Sequence, residues 1–311
     1  MTNQQNVLER HSNHMKKITS LLLSICALAS LTAVAESKAL TITVVTTFDY
    51  PGTGNSTFPF GISSKGDIAG YYVDPSNVTR GFIRLHTGVI SGPYVDPNDT
   101  GNFTRTLAIN GSRVIVGDYY VPVGNVFHGF FLNGHTYTQY DFTGTSTTDL
   151  FGLNDAGDFG GTGVDTLAGV SEGFVSFGGT VTEFMVAGST ATSVHGINDL
   201  GEAVGSYNDS AGVSHGFYRD ASGTITAPVD YPGSATTTVQ GINDKGVIVG
   251  RYNNADGVVH AFILKLPHTF FSYDYPGATA TSFNDINSKG LIAARYTDNA
   301  NLAHGFIAQE R

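Results

Sequence analysis

Gly196-Ile197-Asn198-Asp199-Leu200-Gly201-Glu202-Ala203-Val204-Gly205-Ser206-Tyr207 returns one repeat later as Gly241-Ile242-Asn243-Asp244-Lys245-Gly246-Val247-Ile248-Val249-Gly250-Arg251-Tyr252. The shared element is Gly-Ile-Asn-x-x-Gly-x-x-Val-Gly followed by x-Tyr. Weaker copies carry it through the rest of the chain. The Asn position falls at Ser63 (degenerate), Asn110, Asn154, Asn198, Asn243 and Asn287, with successive spacings of 47, 44, 44, 45 and 44. A fixed period in this range means stacked or radially arranged copies of one small unit.

The copy from Ser193 to Gly233 serves as a template. Ser193 to Ile197 reads as a short strand and Asn198 to Gly201 as a turn, with Gly201 suited to positive φ. Glu202 to Tyr207, Ser214 to Arg219 and Thr224 to Asp230 read as three more strands, separated by Asn208–Gly212 and Asp220–Gly223 and closed by Tyr231-Pro232-Gly233. Four short strands with Gly/Asp/Asn punctuation make an antiparallel meander. No stretch after the leader shows sustained helical periodicity.

Four strands per repeat of this length predict an all-β fold, a six-bladed β-propeller of four-stranded antiparallel blades. The chain ends sharpen the expectation. The sixth copy stops at His304-Gly305-Phe306-Ile307 and Arg311 without a fourth strand, whereas Thr41 to Gly52 is an orphan fourth strand matching Thr269 to Gly277. The N-terminal strand is therefore expected to join the C-terminal blade, closing the ring and removing open sheet edges.

The triplet His260-Ala261-Phe262, its near copies His128-Gly129-Phe130, His215-Gly216-Phe217 and His304-Gly305-Phe306, and the preceding Gly-Ile-Asn element resemble the HAF-repeat family of extracellular bacterial proteins. The resemblance spans roughly residues 40 to 311. It implies export and a repeat architecture, with no settled activity. Two copies depart from it: Arg80 and Glu172 stand where His is expected.

Residues 1–35 read as a secretory signal peptide, with translation starting at Met1 or at Met15. Met15-Lys16-Lys17 is the basic start, Ile18 to Val34 the apolar run, and Ala33-Val34-Ala35 the small-residue cleavage site. The propeller domain is then 39–311. Cleavage removes Cys26, the only cysteine, so no disulfide is available and stability must come from packing. The whole chain carries a formal charge of −10. An acidic surface repels phosphate backbones and anionic lipid, which argues against nucleic-acid and membrane partners. The reading is a secreted, periplasmic or cell-surface monomer.

Most repeated residues read as folding devices. The Asn of each repeat sits before a Gly turn, where its side chain bonds backbone N–H groups. The four His are spread by blade symmetry, whereas a metal needs converging ligands, so no metal site is assigned. Phe82, Phe130, Phe174, Phe217, Phe262 and Phe306 read as interblade core.

Ligand-binding candidates come from two places. Asp74, Asp165, Asp209, Asn254 and Asp298 occupy one turn at the same offset, and Asp49, Asp141, Asp230 and Asp274 with Tyr50, Tyr231 and Tyr275 come from the Asp-Tyr-Pro-Gly link. Such a rim suits sugar hydroxyls or Ca²⁺. No cofactor is assigned, because no loop matches the Asp-x-Asp-x-Asp-Gly calcium pattern. Departures from symmetry are the second source. The residue before the first-strand glycine position is Phe60, Leu107 and Phe151 in three copies, then His195, Gln240 and Asn284 in the next three. If the first strand is innermost, this half-apolar, half-polar set faces the central channel.

The chain thus reads as an exported binding or structural module for an extracellular carbohydrate, a cation or a protein, rather than as an enzyme. The competing reading is an extracellular carbohydrate-active hydrolase or lyase using acidic residues near the channel. Glu172, which replaces a repeat residue, is its first candidate acid.

Overall fold

Short alternating runs between Gly, Asp and Asn turns favour antiparallel strands, because alternate side chains fall on opposite faces. The computed structural model describes residues 40–311 apart from 53, 166–168 and 268, and the leader read over residues 1–35 lies outside them. Strand β1 is Ile42–Phe48. The first repeat supplies β2 (Ser56–Ile62), β3 (Ile68–Val73), β4 (Thr79–Arg84) and β5 (Ile90–Tyr94). The second supplies β6 (Thr104–Ile109), β7 (Val114–Val121), β8 (Val126–Asn133) and β9 (Thr136–Tyr140). The third supplies β10 (Thr147–Leu153), β11 (Phe159–Asp165), β12 (Val170–Phe177) and β13 (Thr180–Phe184). In the fourth, β14 (Ala191–Ile197), β15 (Ala203–Asn208) and β16 (Ser214–Arg219) precede a short β17 (Ile225–Thr226). Pro228, which has no N–H to donate, cuts that fourth strand below its expected length. The fifth supplies β18 (Thr236–Ile242), β19 (Val247–Asn253), β20 (Val259–Lys265) and β21 (Thr269–Tyr273). The sixth has β22 (Ala280–Ile286), β23 (Leu291–Thr297) and β24 (Ala303–Glu310).

The missing strand of the sixth repeat is β1. It pairs antiparallel with β24, from Ile42 opposite Glu310 to Phe48 opposite Gly305. The resulting sheet runs β1-β24-β23-β22, as the split ends predict. Thr41–Arg311 is one unit.

One detail of the expected architecture is corrected. The strands form six four-stranded meanders but five hydrogen-bonded sheets, four of four strands and one of eight. The third and fourth meanders are joined because Ser171 on β12 makes a parallel bridge with Ala191 on β14.

The core explains two motif letters. The six Phe of the third strands are fully buried, each contributing about 1.5–3 kcal/mol. Opposite five of them sits the second-strand glycine, for example Gly250 across from Phe262. A Cβ on Gly250 would lie 2.8 Å from that ring, so the glycine makes room for the phenyl group. In the sixth meander Ala294 takes the glycine's place opposite Phe306.

Candidate functional site

The repeated Asn residues act twice. Asn198 Oδ1 accepts the N–H groups of Leu200 and Glu202 at 3.1 and 3.0 Å, which shapes its own turn. Its Nδ2 donates to the carbonyl of Asn243 in the next meander at 3.2 Å. Asn110, Asn154, Asn243 and Asn287 repeat that blade-to-blade bond, the last reaching Ser63 O at 2.9 Å. Ser63 has no amide to continue the circuit, and its Oγ accepts the N–H of Asp67 at 3.0 Å.

The rim candidates are brought together with the repeated His rather than around open space. Asp209 accepts the N–H groups of Ala211 and Val213 and faces His215 Nε2 at 3.4 Å, while Asp230 takes Nδ1 at 2.7 Å. His304 is held likewise between Asp298 and Asp49, and His260 between Asn254 and Asp274. In the first meander Arg80 substitutes for His and binds Asp74 at 2.9 Å. Burial lowers the pKa of His215 and His304, but their carboxylates outweigh it and hold both above the ordinary value. Tyr231 and Tyr275 lie flat on Tyr252 and Tyr296, at 3.7 and 3.9 Å between ring centroids, so one face of each is already covered. Asp165 closes its own turn through a carbonyl bond from Gly169 N. Glu172 lies on β12 opposite Gly163 and is not among the residues lining the channel. Among the described residues no group of three or more His, Cys, Asp or Glu could hold a metal ion.

The channel is built by a repeated irregularity. Every first strand carries a β-bulge at one place, its register slipping around Phe60, Leu107, Phe151, His195, Gln240 or Asn284. A bulge takes its residue out of the ladder and re-aims the side chain. These six residues, half apolar and half polar, line a single constriction. At the mouth formed by the Asn turns, Asp155, Asp199, Asp244 and Asp285 line a space of about 150 Å³. Asp155, Asp199 and Asp285 accept the N–H groups of Gly111, Asp155 and Ile62, and Asp244 bonds Asp199 N and Ser288 Oγ.

Beyond the constriction, toward the Tyr-Pro-Gly links, the channel widens to about 270 Å³. Rings of Phe58, Phe60, Tyr71 and Phe151 line part of this cavity, and His195, Gln240 and Asn284 line its floor toward the constriction. Arg105, Arg251 and Arg295 complete it. Arg251 and Arg295 lie across from Thr238 and Ser282, near the start of β18 and β22.

The polar groups differ in how far they are satisfied. Asn284 is fixed, accepting from Ser282 Oγ at 2.7 Å and donating to Pro59 O at 2.6 Å. His195 Nδ1 lies 2.8 Å from Val239 O, so Nδ1 carries the hydrogen. Burial pushes the His195 pKa down to about 4, leaving the ring neutral and Nε2 an acceptor. Gln240 is buried, and its Oε1 has no hydrogen-bond partner. Arg105 is neutralised by a two-point contact with Asp118, at 2.9 and 2.5 Å, and lies 3.4 Å from Asp149. Burial, then the neighbouring Asp118, pushes the Asp149 carboxyl well above the carboxylate range. Arg251 is lowered to about 10 by burial and then by Arg295; Arg295 is lowered by burial. Among the described residues no carboxylate faces either guanidinium.

The sequence carried an unused pointer to the arginines. Arg251 and Arg295 occupy the variable position of Val-Gly-x-Tyr, which reads Tyr71, Asp118, Thr162, Ser206, Arg251 and Arg295 around the ring. Two cations at a position that is neutral or acidic in the other copies are a departure from symmetry of the same kind as the bulge set.

The fold and channel define this chain as a β-propeller. No family model and no curated protein matches it significantly. Solved structures of other proteins share the architecture, among them the following three. TolB from Acinetobacter baumannii aligns with TM-score 0.54 and 11% identity over 79% of this chain and 65% of its own. A structure from work on two prolyl endopeptidases aligns with TM-score 0.52 and 12% identity over 83% of this chain and 42% of its own. The chain thus spans less than two thirds of either. The fungal lectin of Aleuria aurantia, described as a six-bladed β-propeller with a fucose recognition mode, aligns with TM-score 0.51 and 10% identity over 81% and 90%. At these identities the likeness carries the fold alone. Among the described residues no helix is long and apolar enough to cross a membrane.

Proposed function

We propose that this chain is an exported, monomeric propeller of the HAF-repeat kind that acts as a binding module, taking a small ligand of the carbohydrate class in the link-side cavity of its channel. The observation that carries the reading is the bulge set: six side chains that differ between otherwise similar repeats converge on one constriction. Aromatic faces beside a few convergent polar groups are the usual makeup of a small-molecule site. The fucose recognition described for the Aleuria lectin supports the ligand class by architecture only. The hydrolase or lyase reading is weaker, because no carboxylate lines this cavity among the described residues and Glu172 stands outside it. The rim aspartates serve as braces for the His residues, which weighs against a calcium adhesin.

Thermal unfolding of the full chain against a panel of neutral sugars, sugar acids and divalent cations tests the reading. A ligand that binds only the folded state adds about 2.7 kcal/mol of stability at a hundredfold excess over its dissociation constant. The expected result is a raised midpoint with a sugar that disappears in His195→Leu/Gln240→Leu/Asn284→Leu. A shift that survives in the triple variant rejects the channel. A shift with Ca²⁺ alone moves the function to the acidic rim.

A further inference from the structure

Resting on the channel as the ligand site, the geometry points to the class of that ligand: we propose that the cavity between Arg251 and Arg295 holds a hydroxylated carboxylate of monosaccharide size, a hexuronate. Arg251 and Arg295 come from equivalent positions of neighbouring meanders and line the same cavity. Arg105, the third cation there, is already matched to Asp118 and Asp149. The other two are unmatched among the described residues, in a chain whose formal charge is −10. Two like charges partly withdrawn from water without a counter-charge are unfavourable in the empty protein. An anion between them relieves that cost, and the planar guanidinium fork matches a planar carboxylate at two points. Arg295 lies over the Phe58 ring, its Cζ 5.2 Å from the centroid, a contact that limits the freedom of the guanidinium.

The acceptor in the same cavity chooses among anions. His195 Nε2 presents a lone pair because Nδ1–H is given to Val239 O. A bare inorganic anion has little to donate to it. A sugar hydroxyl donates to His195 while the carboxylate faces the arginines. The apolar rings of Phe60 and Phe151 offer a surface for the C–H face of a pyranose. A cavity of about 270 Å³ limits the bound part to one sugar unit. That unit is either a free uronate or the end residue of a polyuronide, and the acidic exterior opposes entry of a longer polyanion.

Calorimetric titration of the full chain with glucuronate, galacturonate, a galacturonate trimer, glucose, galactose, glucose 6-phosphate and inorganic phosphate tests this assignment. The uronates are expected to bind at least about tenfold more tightly than the matching neutral sugars, with the preference shrinking as salt is raised. Arg251→Gln/Arg295→Gln, which keeps side-chain bulk, is expected to abolish the preference, bringing uronate affinity down to that of the matching neutral sugar. Arg251→Lys/Arg295→Lys, which keeps the charge and loses the fork, is expected to retain only part of it. Melting of each variant checks that it is folded. Equal binding of uronate and neutral sugar, both lost in His195→Leu/Gln240→Leu/Asn284→Leu, overturns the uronate class and leaves the channel reading standing. Uronate binding unaffected by the Leu variant overturns both. Tighter binding of glucose 6-phosphate or phosphate than of uronate overturns the carboxylate assignment. The trimer separates the two sources: affinity equal to or above that of the monomer identifies a chain end, and much weaker affinity identifies the free sugar acid.

Discussion

Asp285 occupies the position held by Gly61, Gly152, Gly196 and Gly241 in other repeats, so it places a carboxyl group where neighbouring meanders approach closely. Ile62 N–H donates to it at 2.9 Å and Ile286 N–H at 2.8 Å, which favours the ionised form. Burial outweighs both bonds and pushes its pKa up to about 7. An unfolded aspartate titrates near 3.9, so between about pH 4 and 7 the folded chain binds the extra proton. Stability from this group is therefore present at low pH and lost as pH rises through 7. Asp285→Asn removes the ionisation and is expected to stabilise by roughly 1–3 kcal/mol at pH 8, with little change at pH 4. Melting at the two pH values checks the prediction, and an equal difference at both would refute it. The His of the rim follow the same sign through a different cause: their carboxylate partners favour the protonated ring, so His215 and His304 contribute stability below the unfolded imidazole pKa that fades as pH rises through their folded values.

The first strand of each meander is the element on which the channel depends. Its bulge turns one side chain inward, and the next residue must then pass close to the neighbouring first strand. A Cβ on Gly196 would lie 2.8 Å from Gln240 O and 2.9 Å from Gly241 Cα, both backbone atoms. At Gly152 the nearest atoms are 3.4 Å away, on Ile197. Gly196→Ala is therefore expected to destabilise by about 1–3 kcal/mol and to shift Gln240, weakening ligand binding, whereas Gly152→Ala should cost well under about 1 kcal/mol. Chemical denaturation of the pair checks this. Equal midpoints would mean that the strands slide apart without penalty. The Val-Gly glycine and the third-strand Phe belong to the same level of explanation, since each makes sense only as the other's cross-strand partner.

For the ring as a whole, closure rests on β1. Its pairing with β24 covers an edge that would otherwise be open. The buried Phe82 packs edge-on against Phe48, and His304 reaches back to Asp49. Deleting residues 41–50 from the full chain is expected to remove roughly 3–6 kcal/mol and to promote association through the exposed edge. Adding that decapeptide in trans should recover part of the loss. An unchanged midpoint on deletion would mean that the ring holds without this strand.

Much of this is legible in the amino-acid sequence. The period near 44, four strands per repeat, the split N- and C-terminal ends, and the burial of the six Phe all follow from the chain alone. Each is local chemistry that must recur in every copy, so the copies report it together. The candidate residues Phe60, Leu107, Phe151, His195, Gln240 and Asn284 were visible as a broken symmetry, although not as products of a bulge. The fold alone decided three other matters. It spent the rim aspartates on His and turn N–H groups, because the second turn and the link emerge side by side. It fused two meanders through Ser171 and Ala191. And it set Arg251 beside Arg295 and His195, each about a repeat or more away along the chain, in one cavity. Sequence records what each repeat needs for itself; what faces the common axis depends on all six at once.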